Sequence, residues 1–334
     1  MSSASKVAHT KDILHIIFSH LSDNKDLPSL LRTSPLFFGL IAQKLYRSLP
    51  ISNVLNPLLG VDAGGRGGPY GKTKLLELVQ TVIVERAPLP VGHSVWANWY
   101  KRIPPLPAVE TVIIHPADKT ARQQGGADKT LPNDALIERL CRDASRLHLS
   151  TPFYTARAKG FQSMPSLPCV KTLVVMAHAG EFTEVKYVVG KLTYGPWNHG
   201  RKEYPPCLNI KAVHILLWGD LVNPGAGFLW LTGSTNELLG NKILHDLCEI
   251  VENFGTRFSI NELWLYNADT ILERLSEWTK SRKVDDIKAK VEIKFAEEMK
   301  TSAEVWGMPE EAAKAQVFWR TGHEFLEAFC DMPA

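Results

Sequence analysis

The sequence is short of cysteine, of net charge and of long apolar runs. Its five cysteines, Cys141, Cys169, Cys207, Cys248 and Cys330, are scattered, odd in number and without a Cys-x-x-Cys pair. That spacing argues against a disulfide framework and against a structural zinc site, whose ligands come grouped. Lysine and arginine number 38 against 35 for aspartate and glutamate, a net charge of +3. So small an excess argues against nucleic acid as a partner. The densest basic cluster, Lys280-Ser281-Arg282-Lys283, has no interleaved aromatic residues and reads as a solvated helix end. No apolar run approaches the ~20 residues that span a bilayer. The opening Met1-Ser2-Ser3-Ala4-Ser5-Lys6 lacks the apolar core of a signal peptide. The expectation is a reducing intracellular setting, cytoplasmic or nuclear, with no membrane partner.

Catalytic signatures are also missing. There is no Gly-x-Ser-x-Gly elbow and no His-Glu-x-x-His helix. His15 and His20 are five residues apart, on different faces of a helix, and His178, His199, His214 and His245 lie in separate segments. Gly67-Gly68-Pro69-Tyr70-Gly71-Lys72-Thr73 invites comparison with a phosphate-binding loop. That motif needs a glycine five residues before the Gly-Lys-Thr, and Arg66 stands there instead. A linker is the better reading. No enzyme, cofactor or metal site is expected.

What is present is a folded composition, 45% hydrophobic and 22% charged, with a recurring hexamer. Its pattern is apolar, polar, small or polar, aliphatic, any, aliphatic. It occurs as Val79-Gln80-Thr81-Val82-Ile83-Val84 and Val109-Glu110-Thr111-Val112-Ile113-Ile114, and more weakly from Ala144 to Leu149. It returns from Val170, Ile210 and Ile260, and Val291-Glu292-Ile293-Lys294-Phe295 reads as a seventh strand. Helical apolar spacing fills 131–142, 237–254 and 270–281, and Pro309-Glu310-Glu311 opens a final capping helix predicted over 309–330. Phe318, Phe325, Leu326 and Phe329 would form its buried side. Strands alternating with helices predict an α/β fold with a parallel sheet.

The first fifty residues form a separate unit. Thr10 can cap a helix whose stripe is Leu14, Ile17, Phe18 and Leu21, with Ile13 and Ile16 on adjoining ground. Leu27-Pro28 and Ser34-Pro35 mark a second and a third helix start, because proline is accepted in a helix's first turn. Asp12-Ile13-Leu14, Phe18 and Leu21, Asp26-Leu27, Leu30-Leu31-Arg32-Thr33-Ser34 and Phe37 together resemble an F-box. The ending Leu45-Tyr46-Arg47-Ser48-Leu49 resembles fungal F-box-like proteins, in which a short strand follows. The family's opening Leu-Pro is His9-Thr10 here.

The hexamer in turn resembles the strand of a leucine-rich repeat. Its starts at 79, 109, 144, 170, 210 and 260 are spaced by 30, 35, 26, 40 and 50 residues, wider than the ~20–29 of a regular repeat. The expected architecture is an F-box-like helical module over 9–52, a glycine-rich linker over 53–74, and an irregular leucine-rich-repeat-like α/β solenoid over 75–334. An open α/β sheet is the alternative.

In the hexamer, the fourth and sixth residues share the core face, and the third and fifth line the opposite one. Arg146, His148, His214, Glu262 and Trp264 fall on that second face as candidate substrate-binding residues. Ile83, Ile113 and Val174 fall there too, which suggests a cover formed by 178–209 and 219–235. By resemblance, Ile13, Leu14, Ile17, Leu21, Leu30 and Leu31 would hold the module and its dock on a Skp-type adaptor in a cullin complex. The rest would recruit a protein substrate for ubiquitination without performing chemistry. An F-box-like interaction protein outside a ligase is the alternative, with a nucleotide-dependent enzyme behind both.

Overall fold

Proline and serine set the first boundaries. A computed structural model describes residues 14, 27–31, 33–51, 58, 71–85, 104–115, 133–150, 167–178, 185, 209–218, 241, 244–245, 247–251, 260–279, 283–307 and 316–329. Helix α1 (Leu27–Leu31) has Pro28 in its first turn, and α2 (Pro35–Leu45) has Pro35 as its first residue. The Ser34 hydroxyl accepts from the Leu36 amide at 3.1 Å, which satisfies one of the amide groups that a helix start leaves open. Leu14, Leu27, Leu40 and Ile41 are buried together, with Leu30, Leu36, Phe37 and Leu45 packed around them. This cluster is separate from the main core.

The rest is α/β, built on one eight-stranded parallel sheet. Its strands are β1 (Ser48–Ile51), β2 (Thr81–Glu85), β3 (Thr111–His115), β4 (Arg146–Ser150), β5 (Thr172–His178), β6 (Ala212–Trp218), β7 (Glu262–Tyr266) and β8 (Gln316–Arg320). Every strand pairs with the next in sequence. The order never reverses, so the sheet has no switch-point crevice of the kind that holds ligands in doubly wound folds. All six hexamers form strands, and their third residues pair in one row: Thr81, Thr111, Arg146, Thr172, Ala212 and Glu262.

The fourth and sixth hexamer residues are all buried, from Val82 and Val84 through to Leu263 and Leu265. They share their core with helix α4 (Asn133–Leu140), with helical residues 244 and 247, and with α5 (Asp269–Thr279) and α6 (Val284–Trp306). The first residues (Val79, Val109, Ala144, Val170, Ile210, Ile260) are buried there as well. They escape the period-two rule because each lies just before its strand. The amides of Val79, Val109, Ala144 and Val170 donate to the carbonyls of Leu76, Leu106, Cys141 and Leu167, three residues earlier.

Three sequence expectations change. Residues 291–295 are not a strand but the middle of α6. Ile287, Val291, Phe295 and Met299 are buried at four-residue spacing, while Ile293 is 60% exposed. Five alternating residues are too few to tell the two periods apart. The final helix over 309–330 is instead strand β8 followed by α7 (Gly322–Phe329), with 308–315 outside the described residues. Phe318 therefore lies on a strand, and Leu326 is 56% exposed and not part of a buried side. Finally, β1 belongs to the sheet. Tyr46-Arg47-Ser48-Leu49-Pro50-Ile51 fits the hexamer, and Leu49 and Ile51 join the main core.

Of segment 53–74, only Leu58 and 71–74 are described, and Lys72 opens the short helix α3 (Lys72–Leu76). Among the described residues, no helix is long and apolar enough to cross a membrane. Leu173, near the start of β5, is fully buried. Leu173→Ala should cost about 2–5 kcal/mol of unfolding free energy, and Ile293→Ala less than about 0.5 kcal/mol, as read from urea denaturation midpoints.

Candidate recognition face of the sheet

Because register is constant, the face opposite the main core carries its side chains in rows. The fifth hexamer positions run Ile83, Ile113, His148, Val174, His214 and Trp264, and Phe318 of β8 extends the row. One step along the strands, Ser150, Met176, Leu216, Tyr266 and Arg320 make a parallel row. Of the candidate substrate-binding residues, His148, His214 and Trp264 share the fifth-position row. Arg146 and Glu262 lie in the third-position row with Thr172 and Ala212 between them. Three strand spacings put them roughly 14 Å apart, too far for an ion pair.

The rows make an aromatic ladder. The His214 and Trp264 rings stack at 5.6 Å, and the Trp264 and Phe318 rings at 4.2 Å. The Arg320 guanidinium lies 5.4 Å from the Trp264 ring, a cation–π distance. Trp264 donates its indole N–H to Glu262 Oε2 at 3.0 Å, so the carboxylate orients the indole. His214 Nδ1 lies 3.0 Å from the Tyr266 hydroxyl.

A cover is present in helix α7. The stretches expected from the sequence to form one, 178–209 and 219–235, lie almost wholly outside the described residues. Helix α7 lies over the face. Phe325 is buried against Val174 and Tyr266, with Met176, Leu216, Trp264 and Phe329 packed around them. Phe329 meets His148 edge-on at 5.8 Å and His214 at 5.1 Å. Tyr266, Phe318, Phe325 and Phe329 were not among the candidates. Extending the hexamer by one position would have found Tyr266; nothing local in the sequence announces the helix.

Electrostatics follow from this cover. His148 is 2% exposed, and neither of its ring nitrogens has a hydrogen-bond partner among the described residues. Burial, then the Arg146 charge and then His214 hold the His148 imidazole down to about 4. Burial and then Arg146 hold His214 down to about 4 as well. Burial pushes the Tyr266 phenol up to about 12, against the opposing pull of Arg320. Both imidazoles are therefore neutral at pH 7. Among the described residues, no group of three or more His, Cys, Asp or Glu side chains is placed to hold a metal ion.

The candidate docking residues are placed only in part. Leu14 points into the small apolar cluster, and Leu30 is half-buried at its margin. Ile13, Ile17, Leu21 and the Leu31 side chain lie outside the described residues. Comparison of the chain with protein-family models, with curated proteins and with solved structures gives no match.

The ring protons of His148 and His214 should titrate with midpoints near pH 4 in an NMR titration of the folded protein. A midpoint near the usual 6.5 for both would show that the rings are hydrated.

Proposed function

We propose that this chain is a non-catalytic adaptor that presents a protein substrate to a Skp–cullin–F-box-type ubiquitin ligase. The observation that carries the reading is the sequential parallel sheet, with helices gathered on its fourth- and sixth-position side and a ladder of large side chains on the other. Such an arrangement suits a leucine-rich-repeat-like solenoid, in which each strand adds one repeat and the face opposite the helical core, here partly covered by α7, meets another protein. Trp264, with Arg320 beside it and Phe318 stacked on it, has the composition of an interface anchor.

The first fifty residues support the docking half of the reading. They keep an apolar cluster of their own, in which Leu14, Leu27 and Ile41 are internal. Leu14 packs inside the module, and on this reading the second stripe read from the sequence, Ile13 and Ile16, would meet a partner. The adaptor would contribute proximity alone, raising the local concentration of substrate around an enzyme carried by other subunits. The changed His9-Thr10 start favours a second reading, an F-box-like interaction protein that acts outside a ligase.

Pulldown with a Skp-type subunit tests the docking half. Wild type should bind, and Ile13→Asp should weaken binding tenfold or more, the equivalent of one buried aliphatic side chain at about 1.5–3 kcal/mol. Leu14→Asp should instead unfold the small cluster, seen as a loss of helical circular dichroism. Failure of the wild type to bind, with cullin absent from its cellular complexes, would leave the second reading.

A further inference from the structure

Helix α7 and the histidines beneath it form a unit whose geometry has no role in simple recognition. With eight residues, α7 is too short to persist in water on its own hydrogen bonds. Its start is fixed. The Thr321 amide donates to Glu324 Oε2 at 2.7 Å and the Glu324 amide donates to Thr321 Oγ1 at 3.2 Å, a reciprocal cap. Its far half is held by two rings. Phe325 sits edge-on to Tyr266 at 5.1 Å, and Phe329 closes over His148 and His214. Leu326 faces solvent.

The floor under Phe329 is poorly suited to permanent burial. Among the described residues, neither buried His148 nitrogen has a hydrogen-bond partner, a cost that hydration would remove. No counter-charge among the described residues balances an added proton. Arg146 on the same strand and His214 two strands away are the groups that lower the His148 pKa beyond burial itself. The adjoining rows contribute Ile113 from β3 and Val174 from β5, and β7 contributes the Tyr266 hydroxyl beside His214. On β7, Glu262 accepts from Trp264. On α7 itself, Glu324 is taken by Thr321 and Arg320, and Glu327 pairs with His323.

We propose that α7 is a gate over the recognition face of β4 to β7, closed while His148 and His214 are neutral and released when they take up protons. The name of the face rests on the adaptor reading; the gate is a property of the chain alone. With the turn carrying Phe329 lifted, both imidazoles reach water and carry charge at their ordinary affinity. The closed form is therefore fully stable above about pH 6.5 and loses stability as pH falls toward 4. At pH 5, one imidazole moving between those two values favours the open form about thirtyfold. A partner that binds the face has to displace α7, so acid and partner would act in the same direction.

Hydrogen exchange on the intact protein at pH 7.5 and 5.0, corrected for intrinsic rates, tests the gate without any partner. Peptides covering 322–329 should lose protection at least tenfold at pH 5.0, while peptides of β3 and β5 keep theirs. His148→Gln and His148→Leu are neutral at both pH values, and either should reduce the response. Phe329→Ala should open α7 already at pH 7.5. Unchanged protection of α7 in the wild type, loss of protection throughout the sheet, or a full pH response in a folded His148 variant would overturn the proposal. None of these results depends on whether a Skp-type subunit binds, so the gate and the adaptor reading stand or fall separately.

Discussion

The constraint on which the rest depends is a line of shared carbonyl groups at the strand entrances. The carbonyl of Arg47 accepts from the amides of Gln80 and Thr81; that of Gln80 accepts from Glu110 and Thr111; that of Glu110 from Ser145 and Arg146. Ser145, Lys171 and Lys211 continue the line in the same way, and Asn261 ends it on Gln316. Buried backbone groups must be paired. Here each residue at the hexamer's second position pairs with the next repeat, whatever its side chain. The line locks the register at every strand, so inserts between strands can vary in length without shifting a side chain to the wrong face.

Constant register has two results. On one face it delivers aliphatic residues to a continuous core, and helices of very different length can seal that core. On the other face it places like positions side by side, so that His214, Trp264 and Phe318 stack although they are far apart in the chain. The same alignment sets His148 in a buried position between the aliphatic row neighbours Ile113 and Val174. A residue of that polarity is costly at such a site.

Much of this was legible in the sequence because the repeat is local. Six strands and the direction of their core-facing residues follow from hexamers that can be read by eye. The eighth strand was hidden because its hexamer would start with Lys314, so the apolar opening is missing. The first reads as a short strand ending the module, but its place in the sheet was hidden because Pro50 breaks the aliphatic look of the hexamer, although proline is acceptable on an edge strand. Val291 to Phe295 alternate well enough to pass for a strand, and only the longer 287–299 window reveals the helix. The placement of α7 could not be read at all. Whether Phe325 and Phe329 turn toward the helical core or across to the other face depends on how the chain leaves β8, and no periodicity encodes that.

The position of β1 has a mechanical consequence. The segment that ends the small helical module is itself the first strand, with only Tyr46 and Arg47 between α2 and the sheet. The module is thus joined to the sheet through a strand that is hydrogen-bonded in register, not through a tether. From β1 to β6 there are five strand spacings, about 24 Å along the sheet. For the adaptor proposed above, holding one protein at its first strand and another near its sixth, the sheet would be a ruler. Reach is set by the number of strands, and long inserts between them leave it unchanged.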